Sequence, residues 1–166
     1  MKNKAFNLAL AIVILCAGFS VVGCSGISGT GSDNQQKTPI EQARDYVSSL
    51  DSCAADLSSK YDELVEAYTK DDTVAVRLKI EELKDILDKA ANLEVPPALK
   101  EEGTKYQSAC NDLKEALSSL EEASKTSKSG QNVDSLISDA SSKYESAVQT
   151  LKDADAAIQS KLEKLK

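Results

Sequence analysis

The residues able to do chemistry in this 166-residue chain are few, and their types already narrow it. Histidine is absent, which removes the usual general base, the Ser-His and Cys-His nucleophile pairs, and the commonest zinc ligand. Carboxylates remain, in the pairs Asp71-Asp72, Glu81-Glu82, Glu101-Glu102 and Glu121-Glu122. Two carboxylates can share acid and base duties or hold calcium. Neighbours on a helix, however, point about 100° apart and do not converge on one substrate, so solvated faces are expected. No calcium-loop spacing occurs, and no metal or cofactor site is expected.

Cysteine is the other reactive type, at positions 16, 24, 53 and 110. Cys24 has the most specific surroundings. Met1 to Lys4 form a short positive region, and Ala5 to Phe19 an apolar one, the layout of a secretory signal. The segment then reads Val21-Val22-Gly23-Cys24 and dissolves into glycine and serine. This stretch resembles the lipobox of bacterial lipoproteins: an aliphatic residue at −3, a small one at −1, then cysteine. Cys16 follows Leu15 and lacks the small residue.

The resemblance implies that the Cys24 thiol receives a diacylglyceryl group and that cleavage falls between Gly23 and Cys24. It implies residues 1–23 as the signal peptide and membrane lipid as a partner through acylated Cys24. Two or three acyl chains, palmitate among them, anchor stably where one gives marginal binding. The expected address is the extracytoplasmic face of the cell membrane, or the outer membrane in a Gram-negative host. There Ser25 stands where an aspartate would retain some lipoproteins in the inner membrane.

Residues 24–37 then form the lipidated cysteine and a Gly/Ser tether, spanning about 20 Å root-mean-square. The formal charge is −7, and removing Lys2 and Lys4 with the leader takes it to −9. With Arg44 and Arg77 the only arginines, nucleic acid is a poor partner.

Residues 38–166 must supply the folded body. Aromatics are 4% and tryptophan is absent, so the core rests on aliphatic residues and a few tyrosines. Apart from Gly23, Gly26, Gly29 and Gly31, helix breakers are rare, which favours helices over sheet. Thr38-Pro39-Ile40-Glu41 carries a capping box with proline at the first helical position. Ile40, Ala43, Val47, Leu50, Ala54, Leu57, Tyr61, Leu64 and Tyr68 then step by three and four.

Asp71-Asp72-Thr73 predicts a turn and cap, and Pro96-Pro97 predicts the end of a second helix striped by Val76, Ile80, Leu83, Leu87 and Ala90. A third helix is expected from about Ala98, with Leu99, Tyr106, Cys110, Leu113, Leu117 and Leu120 inward. Ser129-Gly130-Gln131 breaks it, and Asn132 caps a fourth with Val133, Ile137, Ala140, Tyr144, Ala147, Leu151, Ala154 and Ile158. The expected fold is all-α, an antiparallel four-helix bundle with coiled-coil-like heptad packing. In style this domain resembles small helical lipoproteins of unknown function, a likeness without a diagnostic motif.

Within such a bundle Cys53 lies about 20 Å along the first helix and Cys110 about 18 Å along the third. The shared level and the export route favour a disulfide, with two buried free thiols as the alternative. A disulfide would demand a squashed cross-section, because first and third helices are otherwise diagonal. A redox or metal role finds no CxxC or histidine beside it.

Tyr61 and Tyr144 fall at similar heights and could line an apolar ligand slot, or simply fill the core. Lys161, Lys164 and Lys166 could meet anionic headgroups or complement the helix C-terminus. The expected function is binding or scaffolding through an envelope protein partner, without catalysis. The alternative is a small-ligand accessory lipoprotein of an envelope transporter.

Overall fold

A computed structural model describes residues 37–70, 72–126 and 133–165, with side chains from 123 to 137 excepted. The lipobox Val21–Cys24, the cleavage point at Gly23, nearly all of the tether, Asp71, the break and cap at 129–132, and Lys166 lie outside the described residues. So do the side chains of Val133 and Ile137.

Four helices make up the described chain: α1 (Pro39–Thr69), α2 (Thr73–Ala91), α3 (Lys100–Thr126) and α4 (Val133–Lys164). No strand occurs among the described residues. α1 starts where the capping box predicts. The Glu41 amide donates to Thr38 Oγ1 at 3.3 Å, and the Thr38 amide donates to Glu41 Oε2 at 2.7 Å. Two of the otherwise orphaned amides at this end are thereby satisfied. α2 is capped by Asp72, whose Oδ1 accepts from the amides of Val74 at 3.1 Å and Ala75 at 3.0 Å.

The far end of α2 differs from expectation. It stops at Ala91 rather than at the proline pair. Asn92 closes it, donating through its amide and its side chain to the Asp88 carbonyl at 3.0 and 2.8 Å. The chain then crosses to a short 3₁₀ turn, Pro97–Leu99, which leads straight into α3. Half-buried Leu93 and Val95 pack on the core from this crossing, so it is held by burial rather than by helix.

Consecutive helices pack most closely: α3 on α4, α1 on α2, and α2 on α3, while α1 touches α4 more lightly. The core between them is apolar, with no buried polar or charged residue among those described. Tyr106, Leu87, Leu99, Leu151 and Ile158 are its largest fully buried side chains, and Ala109 and Ala116 let α3 approach its neighbours closely.

Two tyrosines depart from the pattern. Tyr46, placed beside the stripe by sequence, is buried. Tyr68, placed on the stripe, is 37% exposed, because α1 reaches its last turn there and leaves the core behind.

Ion pairs clip the outer seams. Lys60, Glu63, Lys79 and Glu82 form an alternating network between α1 and α2, with contacts from 2.6 to 3.1 Å. Lys84 reaches Glu121 at 3.0 Å and Lys114 reaches Asp88, both joining α2 to α3. No helix described is long and apolar enough to cross a membrane.

Candidate functional site

Tyr61 and Tyr144, which the sequence puts at similar heights, share one cavity lining. They line it from α1 and α4, with Leu57, Val148 and Leu151 around them. Tyr106 of α3 also lines it; sequence placed that residue on the core stripe but not at this level. A height count along α3 from Cys110, level with Cys53, puts Tyr106 near Ser49 and so does not find it. The cavity volume is about 50 Å³, and its lining is overwhelmingly apolar. Ligand pockets run from about 300 to 1,000 Å³. A slot of this size takes a methyl group or a water rather than a metabolite.

A wider space lies outside the core, at the start of α1. It is an open surface groove of about 530 Å³ between Lys37, Gln42, Asp45 and Tyr46 on one side and Leu93 and Pro96 on the other. Lys37 and Asp45 pair across its rim at 2.5 Å. Sequence reasoning missed it, because it exists only where the crossing after α2 runs past α1. Pro96-Pro97 was its one visible signal.

Cys53 and Cys110 are both buried free thiols, so the disulfide expected between them is not formed. The physical reason is the packing order. α1 lies on α2 and more lightly on α4, and α3 lies between α2 and α4; α1 and α3 are not packed along their length. A disulfide needs Cα atoms within about 4.4–6.8 Å. Side-by-side packing of α1 and α3, which would bring the two backbones that close, is not present.

Burial pushes the Cys110 thiol up to about 12, with a further rise from Cys53, and burial raises Cys53 as well. Thiolate is the reactive form of cysteine, so both side chains are inert packing groups at neutral pH.

Among the described residues the paired carboxylates do not converge. Glu81 binds Lys84 at 2.7 Å, while Glu82 joins the lysine network. Glu101 binds Lys105 at 2.8 Å, and Glu102 meets Lys161 of α4 at 3.9 Å. Glu121 takes Lys84, Glu122 is exposed, and Asp72 is spent as a helix cap. Among the described residues no group of three or more His, Cys, Asp or Glu side chains could hold a metal ion. Glu101 and Glu102 also stand in the first turn of α3, where the helix dipole favours negative charge.

One carboxylate pair was not anticipated from sequence. Asp51 of α1 and Asp155 of α4 are both half-buried. Burial raises the pKa of each above the ordinary aspartate range, and Asp51 raises that of Asp155 further. They lie 104 positions apart in the chain, so only the fold reveals the relation.

Neither a family model, nor a curated protein, nor a solved structure matches the chain.

Proposed function

We propose that this chain is a lipid-anchored bacterial lipoprotein of the cell envelope whose helical domain binds or scaffolds an envelope protein. The observation that carries the reading is Val21-Val22-Gly23-Cys24 directly after an apolar leader, followed by a Gly/Ser stretch. In this account Cys24 carries the lipid, residues 25–37 act as a tether, and the domain stands on the extracytoplasmic face.

The four helices are read as an antiparallel, up-down-up-down bundle with heptad-like packing. Short connections, close packing of consecutive helices, and the shared cavity of Tyr61 and Tyr144 support that arrangement. Lys161 and Lys164 then lie at the end nearest the membrane, where each contributes on the order of 1 kcal/mol toward anionic headgroups.

A binding role is favoured over a small-ligand role by the size of the inner cavity, about 50 Å³. Catalysis is not expected, since histidine is absent, the neighbouring carboxylate pairs are spent on lysines or a cap rather than on one shared site, and the thiols are buried. Crosslinking in native membranes, comparing the natural chain with Cys24→Ser, tests the reading. A stoichiometric envelope protein attached to the natural chain and lost with Cys24→Ser supports it. Equal attachment from both, or attachment of neither, contradicts it.

A further inference from the structure

The seam between α1 and α4 differs from the other three. α1–α2 is clipped by the Lys60, Glu63, Lys79 and Glu82 network, α2–α3 by Lys84 with Glu121 and Lys114 with Asp88, and α3–α4 by Lys161 with Glu102. Among the described residues no ion pair joins α1 to α4, and these two helices pack most lightly of the four neighbouring pairs.

Two carboxylates stand there instead. Tyr61 and Tyr144 line the inner cavity, as do Leu57 with Val148 and Ala54 with Leu151. Counted in opposite directions along the two helices, these pairs share one register. One more turn along each helix brings Asp51 level with Asp155. The count rests on the antiparallel arrangement proposed above.

Among the described residues both aspartates lack an ion pair, and a side-chain hydrogen bond from Gln159 is all that offsets the burial of Asp155. From α3, Tyr106 faces Asp155; burial keeps its hydroxyl protonated well above the ordinary tyrosine range. Cys53 and Cys110 stand nearby as protonated thiols. From α2, Lys89 acts on Cys53 and not on the aspartates. Two carboxylates are thus left to oppose one another across the lightest seam, at the margin of the tyrosine-lined cavity.

We propose that Asp51 and Asp155 form a proton-operated latch: ionised together they hold the α1–α4 seam apart, and one proton shared between them closes it. The proton comes from solvent, binds one carboxylate oxygen, and is donated in a hydrogen bond to the other carboxylate. Like-charged carboxylates in one site behave this way because both cannot ionise without cost.

The direction of the pH effect follows. A carboxyl group whose pKa is raised by folding binds its proton more tightly in the folded state. Its contribution to stability is therefore full below the ordinary aspartate range and lost as pH rises through the folded pKa. Glu41, Glu63, Glu82 and Glu101, lowered by hydrogen bonds from the Thr38 backbone and from lysines, act in the opposite sense. The latch is read only as a difference between variants at matched pH.

The test uses the full chain in detergent, as the natural protein, Asp51→Asn, Asp155→Asn and the double variant. Each single variant should raise the thermal midpoint at pH 7, with the gain vanishing near pH 4. The double variant should gain no more than either single one. Amides beside residues 51 and 155 should exchange up to about tenfold more slowly at pH 5 than at pH 7 after correction for intrinsic rates, in the natural chain only.

A gain that is independent of pH, or additive in the double variant, overturns the latch. Should a variant fail to fold, carboxyl carbon titration of the natural chain decides. Two coupled, well-separated steps, the later one above the ordinary aspartate range, support the latch, and independent single steps near 4 refute it.

Discussion

Val95 packs directly on Gly103, and Tyr46 closes the same spot from α1, its hydroxyl 3.2 Å from where a Cβ at 103 would lie. A methyl group there would meet Val95 Cγ1 well inside van der Waals contact. Gly103 thus sits mid-turn in α3 because the crossing after α2 needs the room, and not for backbone freedom. Gly103→Ala should gain helix propensity of about 1 kcal/mol but lose about 1–3 kcal/mol to overpacking. A net loss in denaturant midpoint is expected, with Val95→Ala in the same chain restoring part of it. A simple gain would show that the crossing yields freely.

Tyr46 makes a second prediction at the same place. Its hydroxyl is buried without a hydrogen-bond partner among the described residues, and burial pushes its pKa up to about 12. An unsatisfied buried polar group costs about 1–3 kcal/mol. Tyr46→Phe removes the hydroxyl and keeps the ring, so chemical unfolding should report a gain of about 1 kcal/mol. A loss would mean that the hydroxyl is bonded in solution.

The two thiols are predicted to be silent. Reductant should leave the thermal midpoint unmoved, and a thiol reagent should modify Cys53 and Cys110 only as the domain unfolds. A midpoint that falls in reductant would restore the disulfide that the packing of α1 and α3 argues against.

Much of the helical layout was legible from local chemistry. Thr38, Glu41 and Asp72 cap where their side chains can reach free amides, and caps are properties of three or four neighbouring residues. Inward stripes followed from period alone, which is why Leu50, Leu87 and Ile158 are buried as expected. The errors lie where an element's end or a distant neighbour decides.

Asn92, not the prolines, closed α2, since a side-chain cap can act before a breaker is reached. Tyr68 was stranded by the end of α1, and Tyr46 was drawn inward by a crossing that periodicity cannot place. For the sites, Tyr61 and Tyr144 line one cavity, but its volume depends on packing and was not readable from a height count. The Asp51 and Asp155 relation needed the α1–α4 register, to which neither local sequence points.

The inner cavity gives a quantitative test of how well the core is packed. Leu87 is buried and lines it. Leu87→Ala should cost about 2–5 kcal/mol, because the residue's transfer energy is lost and the existing void is enlarged. Denaturant titration of the full chain should show this as a lower midpoint at unchanged slope. A cost under 1 kcal/mol would show that the bundle collapses around the gap.

The most direct test of the account is the intact mass of the protein extracted from membranes of a cell that lipidates its lipoproteins, followed by identification of its N-terminal peptide. The account predicts a chain beginning at Cys24 whose first residue carries a diacylglyceryl group, with the mass increment absent from Cys24→Ser. A chain that retains residues 1–23, or that is cut elsewhere and bears no lipid, would contradict it.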